Sequence, residues 1–322
     1  MAHSDFVAGI DIGGTNTKIG LVDRGGNCLA EALILTNAHE GPGTLVSRIC
    51  ESIGRLVDSL SGKNAFRGIG IGAPNANYYH GTVEFPPNLQ WPGVTDVVGL
   101  FHKYCPLPTA ITNDANAAAL GELLFGAGKG MKDFIVITLG TGLGSGLIVN
   151  GNLVYGHDGF AGELGHMIAI PDGRECGCGR RGCLETYASA TGICRTVFEL
   201  LCDRRAESEL RGVAFKDITS KMIYDAAKRG DAIAKEAFEF TGRILGMKLA
   251  DSVVHTSPSA IIMFGGLAAS GDLIFEPTKR HMEANMLKIF KGKVQLLPSG
   301  LKEGNAAVLG AAALIWNELE KK

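Results

Sequence analysis

The sequence predicts an α/β protein made of two similar halves. Apolar runs of strand length alternate with segments of helical periodicity along the whole chain, which is the pattern of α/β folds. A strand, a glycine-rich turn and a second strand occur twice, with turns at residues 13–17 and 140–146. Aligning the turns also aligns residues 21–23 with residues 148–150. This weak repeat predicts two halves of one topology that present glycine-tipped hairpins to a shared cleft.

The elements of the first half follow from apolar runs, helical spacing and breakers. Short apolar runs closed by glycine or proline predict strands, and apolar residues three and four apart predict helices. The segment before Pro92 has two prolines and little periodicity, which is typical of a loop. In order, we predict strands at 6–12 and 18–22, a helix at 45–60, a strand at 68–72, a loop over 75–92, a strand at 109–112 and a helix at 114–125.

The second half begins with the repeated hairpin and continues with alternating helices and strands. The hairpin gives strands at 134–139 and 147–150, and the cysteine-rich segment after it is predicted to be a loop. The remaining elements are predicted as helices at 184–201, 221–228 and 232–254, a strand at 260–264, a helix at 282–290, a strand at 294–297 and an alanine-rich helix at 305–319.

Composition excludes several classes of function. The 322 residues are 46% hydrophobic and carry a formal net charge of -2 without a long basic run, so nucleic-acid binding is not expected. No apolar stretch reaches the roughly 18 residues that a membrane span needs, and no secretory signal precedes the first strand. Eight cysteines without a signal indicate a reducing, cytoplasmic location, where clustered cysteines more often bind metal than pair.

A cluster of thiols and one imidazole predicts a metal site. His166, Cys176, Cys178 and Cys183 have the spacing His-x9-Cys-x-Cys-x4-Cys, with glycines between them. Three thiolates and an imidazole are a common tetrahedral set for structural zinc, and four protein ligands leave no position for a reactive water. The alternative is a disulfide with a spare thiol, which a reducing compartment disfavours.

The two glycine-rich turns predict phosphate binding. Successive backbone N–H groups in a tight turn form an anion site, and neighbouring hydroxyls, including that of Ser145, add donors. Asp11 precedes the first turn, where a carboxylate can hold a hydrated Mg²⁺. The alternative is a pair of ordinary hairpin turns. Neither turn fits a P-loop or a Rossmann motif, because a strand follows each. The predicted phosphate and magnesium residues are Asp11, Gly13, Gly14, Thr15, Thr17, Gly140, Thr141 and Gly142.

Several polar residues predict the chemistry that accompanies phosphate. Asn113-Asp114 opens a helix; Asp114 is either a helix N-cap or an ionised base that accepts the proton of an attacking hydroxyl. Glu163 lies three residues before His166 and can accept hydrogen bonds from sugar hydroxyls, unless it is an ordinary solvated surface residue. Glu185 follows Cys183 and would be anchored by the same metal. Gly265-Gly266 follows a strand, where it can pass under a purine ring.

These motifs resemble those of the ROK family of sugar kinases and repressors, most closely its glucokinase-like members. The resemblance covers nearly the whole chain. The first phosphate motif is present as Asp-Ile-Gly-Gly-Thr at residues 11–15, and the second as Leu-Gly-Thr-Gly-Leu-Gly-Ser-Gly at residues 139–146. The most specific mark is Gly165-His166 followed by Cys-Gly-Cys-Gly-x-x-Gly-Cys-x-Glu at residues 176–185.

The resemblance implies roles for individual residues. Asp114 would be the catalytic base, and zinc would be bound by His166, Cys176, Cys178 and Cys183. Gly265 and Gly266 would contact the adenosine of ATP. The residues implied to bind sugar hydroxyls are Asn88, Asn113, Asp114, Glu163, His166 and Glu185.

The resemblance also implies a fold and an activity. The fold would be actin-like, with two ribonuclease-H-like domains: residues 1–114 plus 306–322, and residues 115–305 with the zinc loop. The expected reaction is ATP-dependent, magnesium-assisted phosphorylation of a hexose at O6, most simply D-glucose, by a cytoplasmic homodimer or higher homo-oligomer of glycolysis and carbohydrate metabolism. Alternative acceptors are mannose, fructose, allose, GlcNAc and ManNAc, whose substituents Asn75 and Asn77 would read.

The alternative to a kinase is a non-catalytic sugar-sensing regulator. Repressors of the family carry a helix-turn-helix before the first phosphate motif, and the ten residues before Asp11 are too few for one. One departure from the family concerns Gly72-Ala73-Pro74-Asn75, where Gly-x-Pro-Gly is expected. Asn in the last position puts the shape of that loop in question.

Overall fold

The computed structural model describes residues 5–60, 65–86, 88–301 and 305–321. Two compact units divide the chain. Unit 1 comprises Met1–Lys132, Gly146–Ala161 and Ser299–Lys322, and unit 2 comprises Asp133–Ser145 and Gly162–Pro298. Among the helices of the described ranges, none combines the length and apolarity that crossing a membrane requires.

Strands and helices alternate along the described ranges. The first part of the chain contains β1 (Phe6–Ile12), β2 (Asn16–Asp23), β3 (Cys28–Leu35), α1 (Pro42–Ser59), β4 (Phe66–Gly72), β5 (Ala76–Asn77), β6 (Thr82–Glu84), β7 (Val94–Asp96), α2 (Val97–Tyr104), β8 (Thr109–Thr112) and α3 (Asp114–Phe125). The second part contains β9 (Phe134–Leu139), β10 (Leu143–Val149), β11 (Asn152–Leu153), α4 (Ala190–Asp203), α5 (Ser220–Arg229), α6 (Ala232–Thr256), β12 (Ala260–Phe264), α7 (Asp272–Asn285), β13 (Gln295–Pro298) and α8 (Ala306–Glu320).

The two large sheets share one strand order, which confirms the predicted internal repeat. The first sheet has the order β3-β2-β1-β4-β8 and the second has the order β11-β10-β9-β12-β13. In the first sheet β1, β2 and β3 are antiparallel neighbours, whereas β4 and β8 follow in parallel. In the second, β12 is parallel to both β9 and β13. Each sheet therefore begins with a hairpin whose tip carries one of the two glycine-rich turns.

A row of residues without bulky side chains lets α8 lie directly on the first sheet. Gly20, Gly9, Gly70 and Ala110 are successive register partners across β2, β1, β4 and β8. A Cβ added to Gly70 would lie 1.8 Å from a backbone oxygen of α8, that of Ala311. Glycine at positions 9 and 70 is therefore required by the close approach of the helix backbone, whereas Gly20 makes room for the Val308 side chain.

Helix α3 packs closely on α8, and this places it in unit 1. A Cβ on Gly310 of α8 would lie 2.4 Å from the backbone oxygen of Ala117, and one on Gly121 would lie 3.0 Å from the Cα of Gly310. The buried Glu122 also accepts hydrogen bonds from Ala127 and Gly300 N–H groups at 2.7 and 3.2 Å. The compact units thus differ from the sequence division at residue 114, because α3 and α8 share one interface.

Some element predictions require correction. Strand β3 and helix α2 were not expected, and the predicted loop over 75–92 contains β5 and β6, which form a small sheet with β7. Strand β10 begins at Leu143 instead of residue 147, and α4 begins at Ala190, where the Ser189 side chain caps it. The predicted helix at 282–290 is wrong: α7 ends at Asn285 and starts ten residues before 282, with Pro277 inside it.

The unusual loop after β4 keeps its shape with asparagine in place of glycine. Asn75 has a φ of 51°, a left-handed conformation that asparagine tolerates better than most residues. Its side-chain amide donates to the carbonyl of Phe85 at 3.1 Å. Asn77 is buried and donates to the carbonyl of Asp158 at 2.9 Å. The expectation that Asn77 reads sugar substituents is not supported, because its amide is used inside unit 1.

Candidate functional site

The first glycine-rich turn is a tight loop between β1 and β2. The N–H of Gly13 donates to the carbonyl of Asn16 at 3.0 Å and closes the turn, while Gly14 and Thr15 are exposed at its tip. A Cβ on Gly14 would lie 2.9 Å from the backbone oxygen of Asn88. The structure therefore brings a predicted phosphate residue beside a predicted sugar residue within unit 1.

Thr17 is not available to a phosphate group. Its side chain is fully buried, and its hydroxyl lies 3.0 Å from that of Thr36. The Thr36 hydroxyl in turn donates to the carbonyl of Gly13 at 2.7 Å. The predicted phosphate contact of Thr17 is thus replaced by a supporting role, because a pair of buried hydroxyls fixes the base of the turn.

Asn113, and not Asp114, caps helix α3. The Asn113 side-chain oxygen accepts a hydrogen bond from the N–H of Asn116 at 2.6 Å, and Asp114 is the first residue of the helix. The alternative that Asp114 serves as the N-cap is therefore wrong. Capping uses the carboxamide oxygen of Asn113, so the group that it can offer to a ligand is its NH₂ donor. The Asp114 carboxylate stays at the positive end of the helix dipole.

Two carboxylates lie near one another in unit 1. Asp11 pairs in register with Gly72, and a Cβ on Gly72 would lie 4.0 Å from the Cα of Asp114. Burial, and then the charge of Asp114, raise the pKa of the Asp11 carboxyl to about 6, while Lys18 lowers it. Limited solvation also raises the pKa of Asp114, although its surface is accessible, and hydrogen bonds from its own and the Ala115 backbone N–H oppose this.

Lys18 is a residue that the sequence analysis missed. It pairs in register with Asp11 across the first hairpin, and its ammonium donates to Asn305 at 2.7 Å and lies 3.3 Å from Glu31. The signal was present in the sequence, since two residues equally distant from a hairpin tip become neighbours. A cation beside Asp11 offsets carboxylate charge at the site where phosphate is expected.

The second glycine-rich turn, in unit 2, is tied to the segment before the metal loop. Gly140 and Thr141 are exposed, and their carbonyls accept from the Ala190 N–H and the Thr191 hydroxyl at 2.9 and 2.7 Å. Ser145 is buried, donates to the carbonyl of Gly162 and accepts from the Leu164 N–H at 3.2 Å. Ser145 therefore holds the turn that bears Glu163 and His166 and is not a phosphate donor.

Close packing requires glycine at position 165 of unit 2 and places Gly142 beside Glu185. A Cβ on Gly165 would lie 2.1 Å from the backbone oxygen of Leu143, and one on Gly142 would lie 2.6 Å from a carboxylate oxygen of Glu185. The predicted phosphate residue Gly142 and the predicted sugar residue Glu185 are thus neighbours. Residues that the sequence placed in separate motifs share one surface of unit 2.

Gly265 and Gly266 follow β12 and differ in their surroundings. Gly265 has a φ of 102°, and a Cβ there would lie 2.7 Å from the backbone oxygen of Leu139. Gly266 is exposed with open space around its Cα. Because β9 and β12 are parallel neighbours, this glycine pair and Gly140 lie at the ends of adjacent strands. The predicted adenosine contact therefore adjoins the second phosphate turn within unit 2.

The four predicted metal ligands converge. Their ligand atoms all lie within 4.8 Å of one another. The sulfurs of Cys178 and Cys183 are 3.7 Å apart, and the Cys176 sulfur is 3.7 Å from Nδ1 of His166. A zinc tetrahedron with Zn–S bonds of about 2.3 Å has edges of about 3.8 Å. The residues therefore fit a Cys₃His zinc site.

The three thiols of the loop differ in their protonation chemistry, because burial raises the pKa of Cys176 and of Cys183. Burial opposes ionisation of Cys178, but hydrogen bonds from the backbone and side chain of Arg180 prevail and lower the pKa of this thiol to about 6. Backbone N–H groups directed at sulfur favour thiolate, which is the form that binds zinc. His166 presents Nδ1 to the cluster, and its Nε2 lies 4.0 Å from Oε2 of Glu163.

A buried arginine anchors the metal loop to α4. The Arg174 guanidinium donates to Glu199 at 3.0 Å, to the carbonyl of Thr186 at 2.7 Å and to the hydroxyl of Thr196 at 3.0 Å. Its guanidinium carbon also lies 4.5 Å from the centre of the Tyr187 ring. A fully bonded, planar cation of this kind holds a loop rigidly, and Glu185 lies between the anchored residues and Cys183.

Known proteins are similar to this chain over most of its length. The chain is 36% identical over 291 residues to a glucokinase of Halalkalibacterium halodurans, covering 88% of this chain and 86% of that protein. It resembles the crystal structure of a ROK family glucokinase from Streptomyces griseus in complex with glucose and AMPPNP, with a TM-score of 0.80, 34% identity and coverage of 96% and 98%.

A transcriptional regulator is also similar. A ROK family regulator homologous to the MLC protein of E. coli has a TM-score of 0.87 and 26% identity, covering 98% of this chain and 78% of the regulator. The structural likeness confirms the predicted α/β, actin-like fold class. The family model described as "ROK family" matches residues 7–318. This chain belongs to the ROK family.

Proposed function

We propose that this protein catalyses ATP-dependent phosphorylation of a hexose at O6, with D-glucose as the acceptor. The observation that carries the proposal is the exposed carboxylate of Asp114. Because Asn113 caps helix α3, the Asp114 carboxylate is not used as the N-cap. It stands in a chain whose relatives include glucokinases at 35% to 38% identity. The complex of the Streptomyces griseus relative with glucose and AMPPNP supports ATP as the phosphoryl donor.

Each group has a defined part in the proposed reaction. Asp114 accepts the proton of the sugar O6 hydroxyl while O6 attacks the γ-phosphorus in line; the new O–P bond forms as the bond to the β-phosphate oxygen breaks, and ADP leaves. Glu163 and Glu185 accept hydrogen bonds from sugar hydroxyls, and Nε2 of His166 donates one. Asn88 and the NH₂ group of Asn113 bind further hydroxyls.

The turns at residues 13–15 and 140–142 would receive the phosphates through backbone N–H groups and the hydroxyls of Thr15 and Thr141. The backbone of Gly265 and Gly266 would contact the adenosine. Asp11 would hold Mg²⁺, which supplies neutralisation of phosphate charge when bound. Asp11 meets the requirement for such a ligand, being a carboxylate beside a hairpin tip whose residues Gly14 and Thr15 are exposed.

Zinc on His166, Cys176, Cys178 and Cys183 would supply rigidity, since four protein ligands leave no position for a substrate or water. This rigidity would fix the positions of the residues next to the zinc ligands. Glu185 has one carboxylate oxygen 3.6 Å from Nδ1 of His166 and 2.9 Å from the sulfur of Cys176. The metal therefore has a structural part in sugar binding and none in the chemical step.

The test of the proposed function is a coupled ADP-release assay with ATP, Mg²⁺ and a panel of sugars. Glucose should give the highest kcat/KM, followed by its epimers, and the product should be the 6-phosphate by NMR. Faster turnover of GlcNAc, ManNAc, mannose, fructose or allose would replace glucose as the acceptor. Sugar binding without ADP release for any acceptor would leave only a sugar-sensing regulator.

We also propose a homodimer or higher homo-oligomer in a reducing cytoplasm. The free cysteines of the described residues include three at the metal cluster, and such thiols persist where the compartment is reducing. Light scattering of the purified protein should give a mass of at least two chains. A monomer at micromolar concentration would contradict the proposed assembly.

Cys178→Ser should release zinc and weaken sugar binding. A serine hydroxyl is a poor replacement for thiolate, so zinc content should fall well below one atom per chain. The sugar KM should rise by roughly tenfold, as for loss of supporting groups around a metal, and kcat should change less. Metal analysis and steady-state kinetics measure both. Cys202→Ser, at an exposed cysteine of α4, is the matched control, and equal sugar KM values in the two variants would refute the role of zinc.

A further inference from the structure

Arg180 contacts three of the four metal ligands. Its carbonyl accepts a hydrogen bond from the Cys176 N–H at 2.9 Å. Hydrogen bonding from its backbone N–H and its side chain also holds the pKa of the Cys178 thiol below its ordinary value. Its guanidinium also donates through Nη2 to the backbone carbonyl of His166, 14 residues away in the chain. One residue thus joins the distant histidine ligand to the two cysteines on either side of Gly177.

The neighbouring arginine differs in every one of these respects. Arg181 pairs with Glu175 at 2.8 Å, and both side chains are exposed, at 53% and 78%. Such a surface pair is screened by solvent and contributes little. The two arginines have the same charge, adjacent positions in the loop and exposed side chains, but Arg180 contacts the ligands whereas Arg181 pairs with Glu175. The difference between them isolates the effect of contact with the cluster.

The charge of a loaded site explains why a cation in contact with it matters. Three thiolates with Zn²⁺ carry a net charge of -1, and Cys183 is fully buried, so water does not solvate that charge evenly. A guanidinium can donate to a carbonyl and a sulfur at once, because its five N–H groups form a fixed fork. An ammonium on a flexible stem offers the charge without this geometry.

We propose that Arg180 is a positioning residue for the metal, which ties His166 to Cys178 and offsets the negative charge of the loaded cluster. The inference rests on the proposed zinc site. Groups that hydrogen-bond metal ligands typically change metal affinity by about 10- to 100-fold when removed. Arg180 therefore sets how firmly the loop retains zinc, and through His166 it sets the orientation of the sugar-binding residues nearby.

The main experiment measures zinc release from the full-length protein. Purified wild type, Arg180→Ala, Arg180→Lys and Arg181→Ala are mixed with a chromogenic chelator, and the rate and equilibrium of zinc transfer are followed. We expect Arg180→Ala to hold zinc about 10-fold or more less tightly, Arg180→Lys to lie between it and wild type, and Arg181→Ala to stay within about twofold. Equal zinc retention by the two alanine variants would overturn the proposal.

Cobalt provides a second readout that a simple loss of stability would not change. Co²⁺-loaded wild type and Arg181→Ala should share the same thiolate-to-cobalt charge-transfer bands. The bands of Arg180→Ala should shift in energy, since Cys178 loses its donor, and bands identical in all variants would contradict the contact.

In sugar kinetics KM should rise for Arg180→Ala with kcat nearly kept. If wild type itself binds no zinc, the metal site fails and this inference with it; if wild type turns over sugar without zinc, only the metal part of the proposed function is lost.

Discussion

Asp114→Asn should abolish most turnover while leaving sugar binding almost intact. Asparagine retains the size and the hydrogen-bonding reach of the side chain but cannot accept the O6 proton. Loss of a general base typically costs two to four orders of magnitude in rate, so we expect kcat to fall by roughly 10³-fold and the sugar Kd to change by no more than about threefold. Steady-state kinetics and calorimetric titration with glucose measure the two quantities separately.

Asp272→Asn is the matched control for this prediction. Asp272 is also the first residue of an α-helix and is exposed, so the same substitution has the same effect on a helix dipole without touching the proposed site. Its kcat should equal that of wild type. A kcat of Asp114→Asn within about tenfold of wild type would remove Asp114 from the mechanism.

The pH dependence of kcat gives an independent check of the same residue. A base acts only when deprotonated, and burial raises the pKa of Asp114 above its usual value. Activity should therefore be present above that raised pKa and be lost as the pH falls through it. The acidic limb should disappear in the residual activity of Asp114→Asn, and its persistence there would assign the limb to another group.

Gly70→Ala should be the most destabilising conservative change in the first sheet. The added Cβ would meet the Ala311 carbonyl at 1.8 Å, which is backbone and cannot rotate away. Helix α8 must move off the sheet, and overpacking of this kind costs about 1 to 3 kcal/mol and occasionally more. We expect a loss of about 3 kcal/mol in the free energy of unfolding, measured by urea denaturation followed by circular dichroism.

Gly54→Ala is the control, because the same substitution should have the opposite sign there. Gly54 lies on the exposed face of α1 with no atom within 4 Å of an added Cβ. Alanine in a helix interior is favoured over glycine by about 0.5 to 1 kcal/mol. If Gly70→Ala were as stable as Gly54→Ala, the close contact between α8 and the sheet would not exist in solution.

The parts of the fold that the sequence predicted are those with a strong local signal. Strands β1, β8, β9 and β12 and helix α3 have the predicted bounds, since apolar runs or a helix cap mark both of their ends. Strand β3 was missed although all of its residues except Glu31 are apolar, and its position at a sheet edge leaves Leu33 and Leu35 exposed. Helix α7 was misplaced because Pro277 lies inside it, where packing of its ring against Gly242 of α6 tolerates the proline.

The side chains of the candidate site were likewise predictable only in part from the sequence. The motif predicted which hydroxyls stand near a turn but could not tell which face of the strand each occupies. Thr15 and Thr141 are exposed at the tips, whereas Thr17 and Ser145 point inward and are bonded to Thr36 and Gly162. Convergence of the cysteines was predictable from spacing, but which of the two arginines contacts the ligands depended on the loop conformation.

The contact between α8 and the glycine row has a consequence for the order in which the protein folds during synthesis. About 240 residues separate Gly70 from Ala311, so at about 5 to 20 residues per second the ribosome needs roughly 10 to 50 seconds to supply the covering helix. All of unit 2 emerges in that interval. Unit 2 can therefore complete its folding first. Until α8 is synthesised, the apolar surface of the first sheet remains exposed, and it is the part of the nascent chain that chaperones must protect.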